Sequence, residues 1–360
     1  MLYGRFSCLD LQYGWLCGVQ LRFGVHYHPM YMLMTNCAVN MGLSNGFVWK
    51  VRGKAVSAQW CEELAAILGV CRATGGPDAD LRIEQGKFRA GQPFDPSTLL
   101  ELSSHGVASP GRSYVRAWSD LVLLRHEECA CVIAGLGEVG DREGRIDQMR
   151  RAMLPFYEAV AARGGLPLHA ALAEIGGQGV ILAGVSGVGK STCSRRFPAP
   201  WRILSDDLAV VVPCEDGTLR AHPLPTWSAV KAQTVERPCV LQHSVPVRAI
   251  FFLVQSDTET AVPVGAGRAA LSIYDAAMQV FMSVDFAAGI PGGSTYTRIL
   301  FENAAEMAAA VPAFVLQVSL RGCFWECIER ALDQVGGAVY KKRENNLHKL
   351  SAGKWGLAPL

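Results

Sequence analysis

Gly184-Val185-Ser186-Gly187-Val188-Gly189-Lys190-Ser191 stands between an apolar run, Val180-Ile181-Leu182-Ala183, and the prolines Pro198 and Pro200. A G-x-x-x-x-G-K-[ST] segment needs a strand before it and a helix after it, and these flanks supply both. The prolines end that helix about two turns past the loop. This part of the chain is therefore committed to an α/β fold. The glycines let the backbone curl so that successive N–H groups point at phosphate oxygens, and the helix N-terminus adds partial positive charge. Lys190 can then reach the β- and γ-phosphates of a nucleotide, and the Ser191 hydroxyl can ligate Mg²⁺. Gly184, Ser186, Gly187, Val188, Gly189, Lys190, Ser191 and Thr192 are the candidate contacts to ATP. The plainer alternative is a glycine-rich turn beside a helix.

Asp206-Asp207 closes the segment Trp201–Ser205, and the strand resumes as Leu208-Ala209-Val210-Val211-Val212. Asp207 lies only seventeen residues beyond Lys190. A short helix followed directly by a neighbouring strand can return both carboxylates to a Mg–phosphate site. Two carboxylates offer two tasks, holding Mg²⁺ and accepting a proton from an attacking hydroxyl. On a regular strand they project to opposite faces, so joint service at one site requires an irregularity there. His169 precedes the turn at Gly176-Gly177, and the hairpin places it beside the incoming strand, some way along from the loop. A lone His is more often packed in a core than catalytic.

The stretch from His169 through Ser191, with Asp206-Asp207 after a short helix, resembles the bacterial HPr kinase/phosphorylase family. The shared features are His169 opening a hairpin, Gly179-Val180-Ile181-Leu182 before the loop, and the loop itself. The resemblance spans about forty residues and implies the P-loop fold shared with phosphoenolpyruvate carboxykinase. It implies ATP and Mg²⁺ at Lys190 and Ser191, Asp207 near the metal, Asp206 as the base, and His169 in a positioning role. The two Asp roles remain open to exchange. The family's later Gly-rich signature is not found, so reversal by phosphorolysis is not implied. Ala221–Trp227 and Val247–Leu253 look more like the HPr-kinase-related proteins encoded beside peptide-modification genes. Among these are lasso-peptide kinases and the SynChlorMet cassette protein ScmC. The function implied is a cytoplasmic kinase that phosphorylates a Ser or Thr hydroxyl of a protein or ribosomal peptide. Other peptide-maturation enzymes are then natural partners. A small-molecule phosphotransferase and a non-catalytic ATP-binding scaffold are the competing expectations. Arg248 and Arg298 are candidates for neutralising transferred charge, or ordinary ion-pair residues.

The remaining sequence sets the organisation. Half of the 360 residues are hydrophobic and 18% are charged, enough for a large core. Lys and Arg number 34 against 32 Asp and Glu, which argues against a protein built to neutralise nucleic-acid phosphates or anionic lipid. Oligomeric state is left open. Twelve cysteines are scattered from Cys8 to Cys327 without metal-ligand spacing and read as free thiols in a reducing compartment. In residues 1–40, Arg5, Asp10, Arg22, His26 and His28 interrupt every apolar run, so this segment reads as an extension that does not span a membrane. Residues 41–150 read as a small α/β recognition module, with a strand at 47–51, a helix at 57–69 and strands at 114–124 and 129–136. Residues 151–335 read as the catalytic domain. A helix over 143–164 enters it, kinked at Pro155. Further helices are expected at 269–284, with Leu271, Tyr274, Met278 and Phe281 as its stripe, and at 303–310 and 323–335. A strand is expected at 314–318. Residues 336–360 form a basic tail, solvated or serving as a docking arm for an acidic peptide.

Overall fold

The structure is a computed structural model that describes residues 37–53, 57–71, 79–89, 113–126, 131–236, 238–285 and 293–335. The basic tail and most of the amino-terminal extension lie outside these residues. The first sheet begins with β1 (Cys37–Gly42), β2 (Val48–Gly53), helix α1 (Ala58–Leu68) and β3 (Leu81–Arg89). It continues with β4 (Ser113–Ala117), β5 (Leu121–His126) and β6 (Val132–Glu138), in the order β1-β2-β3-β6-β5-β4. The turn at Ser44–Gly46 joins β1 to β2, so residues 37–40, read from sequence with the extension, supply most of a buried strand. The strand expected over 114–124 is instead a hairpin, because the chain bends between Ala117 and Leu121.

The expected 143–164 helix is two helices, α2 (Arg142–Ala152) and α3 (Leu154–Ala161). Pro155 sits in the first turn of α3, where its missing N–H costs nothing, and the break falls at Met153 just before it. Residue 151 therefore lies inside α2.

The second sheet carries the site. Its elements are β7 (Leu166–Ile175), β8 (Gln178–Ala183), α4 (Lys190–Arg196), β9 (Arg202–Ser205), β10 (Leu208–Pro213) and β11 (Leu219–Leu224). They are followed by α5 (Trp227–Ala232), β12 (Val245–Gln255), β13 (Thr260–Pro263), α6 (Ala266–Asp285), α7 (Gly293–Ala310) and β14 (Ala313–Val318). A helix over 324–335, α8, follows. Strand order is β11-β10-β7-β8-β12-β14-β13, and β9 pairs with β7 beyond the end of β10. β8, β12 and β14 are parallel neighbours, and the other pairings are antiparallel. A short β11–β12 pairing links β11 back to the middle of the sheet.

Alternation along the central strands explains the layering, because neighbouring residues face opposite sides. Val180, Leu182, Phe251 and Phe314 pack with Phe324 and Ile328 of α8 on one face. Phe251 stacks on Phe314 with ring centroids 5.1 Å apart. Ile181, Ala183, Ile250 and Phe252 face the core shared with α6, α7 and the first sheet. The buried side of α6 includes Ala269, Ala270, Ile273, Ala277, Val280 and Phe281; of the expected stripe Phe281 is buried, Tyr274 and Met278 pack against the core and Leu271 is exposed. Small residues let α6 lie close to the sheet, which the bulkier residues alone did not reveal. Asn303, expected at a helix start, lies within α7 and donates to the Ala161 and Gly165 carbonyls at 2.8 and 3.0 Å. Cys37 and Cys61 are joined as a disulfide, which departs from the expectation of free thiols; seven described cysteines are free.

His222 of β11 ties the two sheets together. Its Nε2 accepts from the Ser44 amide at 3.0 Å and lies 2.9 Å from the Ser44 hydroxyl. An amide can only donate, so Nδ1 carries the proton and donates to the Leu241 carbonyl at 2.8 Å. Burial holds the His222 pKa below its usual value. The unfolded chain therefore takes up this proton first, and the stabilisation is lost as pH falls through about 6.5 toward the folded value. Urea unfolding should show stability declining between about pH 7.5 and 5.5. His222→Gln should flatten that dependence, leaving only the contribution of the same sign from His169, whose pKa is also lowered.

Candidate functional site

The loop from Gly184 to Gly189 joins central strand β8 to α4. Gly187 and Gly189 take positive φ angles of 80° and 111°, a region closed to most side chains. Nothing lies within 4 Å of where a Cβ would project at either glycine, so conformation and not crowding is what calls for glycine there. Gly189 is also the N-cap of α4, and no side chain caps the helix. The Gln255 amide, at the end of β12, donates to the Val188 carbonyl at 3.3 Å and holds the loop's second half. Ser186 stands exposed on the loop, Ser191 is half-buried in the first turn of α4, and Thr192 is exposed beside it.

Lys190 is the unusual member. It is only 6% exposed, and its ammonium donates to the carbonyls of Gly184 at 2.9 Å and Val185 at 3.3 Å. No carboxylate of the described residues lies within ion-pair distance of it. Burial lowers its pKa, partly offset by the field of Asp207. The buried cation thus curls back over its own loop and faces a carboxylate that it does not touch.

The sheet register delivers that carboxylate. Ala170 pairs with Ala183, so His169 falls opposite the first loop residue, Gly184. It sits at the loop itself, nearer than the sequence expectation of a position some way along the strand. His169 also pairs with Leu208 of β10, which brings Asp207 alongside. His169 Nδ1 lies 3.2 Å from Asp207 Oδ1. Burial pushes the Asp207 carboxyl above the usual range, against the opposing influence of His169 and with the help of neighbouring Asp206. Burial also lowers His169, and Lys190 reinforces the effect. A neutral imidazole beside the Asp207 carboxylate satisfies both directions.

The required strand irregularity is present. β9 ends at Ser205, the chain bends through Asp206 and Asp207, and β10 starts at Leu208. The Ser205 hydroxyl donates to the Leu224 carbonyl at 2.9 Å and accepts from the Leu208 amide at 3.2 Å, which fixes the bend. Even so, the two carboxylates diverge. Asp207 turns to His169 and Lys190, while Asp206 accepts a hydrogen bond from the Thr226 hydroxyl and borders a cavity of about 690 Å³. A second cavity, of about 560 Å³, lies along Gly184–Val188 between the loop and α6. Two residues missed from sequence join the site, Thr226 and Gln255. Thr226 lies in the Ala221–Trp227 segment singled out by resemblance, whereas Gln255 at a strand end carries no sequence signal.

Arg248 and Arg298 stay apart. Arg248 sits where the β8–β12 register shifts, opposite Gly179 and Val180 at the end of the strands far from the loop. Arg298 is an exposed residue of α7 that pairs with Glu302 at 3.6 Å, an ordinary surface ion pair. Burial pushes the Cys193 thiol up to about 11 and the Cys239 thiol up to about 12, so neither offers a thiolate near the site. Among the described residues, no three His, Cys, Asp or Glu side chains gather as metal ligands. A Mg²⁺ held mainly by phosphate oxygens and water needs only one or two protein oxygens, so Ser191 and Asp207 fit that demand.

Fold and site together define a mixed α/β protein in which a glycine loop joins a central strand to a short helix, with buried Lys190 and half-buried Asp207 and His169 at its mouth. The chain belongs to the SynChlorMet cassette protein ScmC family, whose profile matches residues 131–333, more than half its length. The match runs from β6 into α8 and takes in the loop, both aspartates and the second cavity, while the first cavity draws part of its wall from α1 outside it. No curated protein matches the chain. No described helix is long and apolar enough to cross a membrane.

The Lys190–Asp207–His169 group has a direct electrostatic signature. Lys190→Met should raise the His169 titration midpoint followed by NMR, because a neighbouring positive charge is removed. Asp207→Asn should lower it, because the carboxylate that favours the imidazolium is gone.

Proposed function

We propose that this protein is an ATP- and Mg²⁺-dependent kinase with an HPr-kinase-like, carboxykinase-like catalytic fold, acting in the cytoplasm on a Ser or Thr hydroxyl of a protein or ribosomal peptide. The observation that carries this reading is the buried ammonium of Lys190, outside ion-pair distance of any described carboxylate, at the foot of the glycine loop. A buried cation without an ion-pair partner is costly unless an anion completes it. A polyphosphate supplies that anion, and the loop amides supply the remaining donors. ATP bound with Mg²⁺ would bring the γ-phosphoryl group that passes to the acceptor hydroxyl.

The chain's own residues then divide the work. Lys190 releases its hold on the Gly184 and Val185 carbonyls and neutralises phosphate charge. Ser191 and Asp207 would hold Mg²⁺, and His169 lies beside Asp207 in a positioning role. Asp206, one residue earlier and turned the other way, takes the proton of the acceptor hydroxyl while Thr226 holds its carboxylate in place. The separation of the two carboxylates supports Asp207 as the metal ligand and Asp206 as the base. The second cavity, along the loop and α6, is the space available to the nucleoside. Most of the catalytic effect comes from positioning and charge neutralisation, with general-base help added.

Membership in a cassette family supports a peptide-maturation setting with partner enzymes. A small-molecule phosphotransferase would show activity on free alcohols in place of peptides, and a non-catalytic scaffold would bind ATP without transferring its γ-phosphoryl group. The test is transfer of labelled γ-phosphoryl from Mg–ATP to hydroxyl-bearing peptides. Asp206→Asn should keep nucleotide affinity and lose about 10²–10⁴-fold in transfer rate. Equal rates in Asp206→Asn and wild type would remove Asp206 from the mechanism.

A further inference from the structure

The cavity of about 690 Å³ beside Asp206 falls within the ~300–1,000 Å³ of ligand sites. Its walls come from both sheets. α1 contributes Ile67, α5 and its approach contribute Thr226 and Ala229, and β9 contributes Ile203, Leu204 and Ser205. α1 is held there by its last carbonyl, that of Leu68, which accepts from the Leu241 amide at 3.0 Å.

The β9 contribution is informative. Three consecutive strand residues border the cavity, although neighbouring side chains of a strand leave on opposite faces. Ile203 packs toward the core on the α8 face, and Leu204 toward the core shared with the first sheet. The common feature that they present to the cavity is therefore the backbone edge of β9. That edge is unpaired: among the described residues, the only strand partner of β9 is β7, on its other side. Strand edges of this kind bind extended peptides by main-chain hydrogen bonds.

The charges around the cavity are already committed. Arg142 is bound to Glu63 at 3.1 Å and to the Val230 carbonyl at 3.0 Å, and the exposed Arg195 and Glu236 face one another at 3.8 Å. Asp206 remains the carboxylate at the wall whose protein partner is a neutral hydroxyl, that of Thr226. An occupant is thus offered a strand edge, apolar walls and one carboxylate at the strand's end.

We propose that this cavity is the acceptor site, and that it takes an extended, largely uncharged peptide segment of about four residues, matched to the ~13 Å length of β9, with its Ser or Thr at Asp206. The proposal rests on the kinase function proposed above and adds to it the substrate class and the place where substrate binds. In the transfer step the acceptor oxygen forms a bond to the γ-phosphorus as the bond from that phosphorus to the bridging oxygen breaks. ADP leaves with the electron pair of that bond, and the hydroxyl proton passes to the Asp206 carboxylate.

The test uses the full chain, Mg–ATP labelled in the γ-phosphoryl group, and pooled blocked hexapeptides carrying one central Ser. A second pool is N-methylated at the residues flanking that Ser. Free serine and glycerol serve as small-alcohol probes. Wild-type protein should label the first pool and lose about tenfold or more on the N-methylated pool. Ala229→Trp and Ile67→Trp, which fill the cavity from two sides, should each lower peptide labelling by about tenfold or more while Mg–ATP affinity stays at the wild-type value. Labelling of serine or glycerol without the peptide pools would overturn the peptide site and point to a small-molecule phosphotransferase, leaving only ATP-dependent phosphoryl transfer standing. So would unchanged peptide labelling in both folded Trp variants, or indifference to N-methylation. Failure of the wild type to bind Mg–ATP would instead remove the kinase function itself, and the acceptor site with it.

Discussion

The Lys190 ammonium is the constraint around which the site is built. It is buried at the start of α4, bound to the carbonyls of its own loop, and faces Asp207 without touching it. A cation in that position must be completed by something negative. Each neighbouring element contributes to keeping it that way. β7 places His169 opposite the loop, and the bend after β9 presents Asp207 to His169. With the imidazole neutral and the Asp207 carboxylate beside it, outside ion-pair distance of Lys190, the positive charge of Lys190 stays available for an incoming anion.

The same bend separates the chemistry into two sides. Because successive residues of an extended chain point in opposite directions, Asp207 turns to the loop and Asp206 to the cavity bordered by α1 and α5. In the proposed mechanism that separation lets one carboxylate attend to metal and phosphate and the other to an acceptor. α1, which follows β2 of the first sheet, supplies a wall of that cavity, and the first sheet is tied to the second through Ser44 and His222.

Much of this was legible in the sequence, for physical reasons that differ from residue to residue. The loop was readable because only glycine tolerates φ angles such as those of Gly187 and Gly189, and because Pro198 cannot continue α4. The hairpin was visible in Gly176-Gly177, yet its register was not, so His169 was placed too far from the loop. Register is set by pairings such as Ala170 with Ala183, which local pattern does not encode. In α6 the expected stripe holds at Tyr274, Met278 and Phe281 and fails at Leu271, because much of the contact face is alanine, which carries little periodic signal. Thr226, Gln255 and the open edge of β9 depend on tertiary placement, and no local periodicity announces them. Arg248 was attractive only as an arginine near the right strands, and the parallel pairing puts it at their far end.

The central claim is that Lys190, the glycine loop and Asp207 form a Mg–nucleotide site, and calorimetric titration of Mg–ATP tests it most directly. The account predicts binding that requires Mg²⁺, is weakened by about tenfold or more in folded Lys190→Ala, and loses its metal dependence in Asp207→Asn. Absence of binding in the folded wild-type protein, or equal affinity in Lys190→Ala, would contradict it.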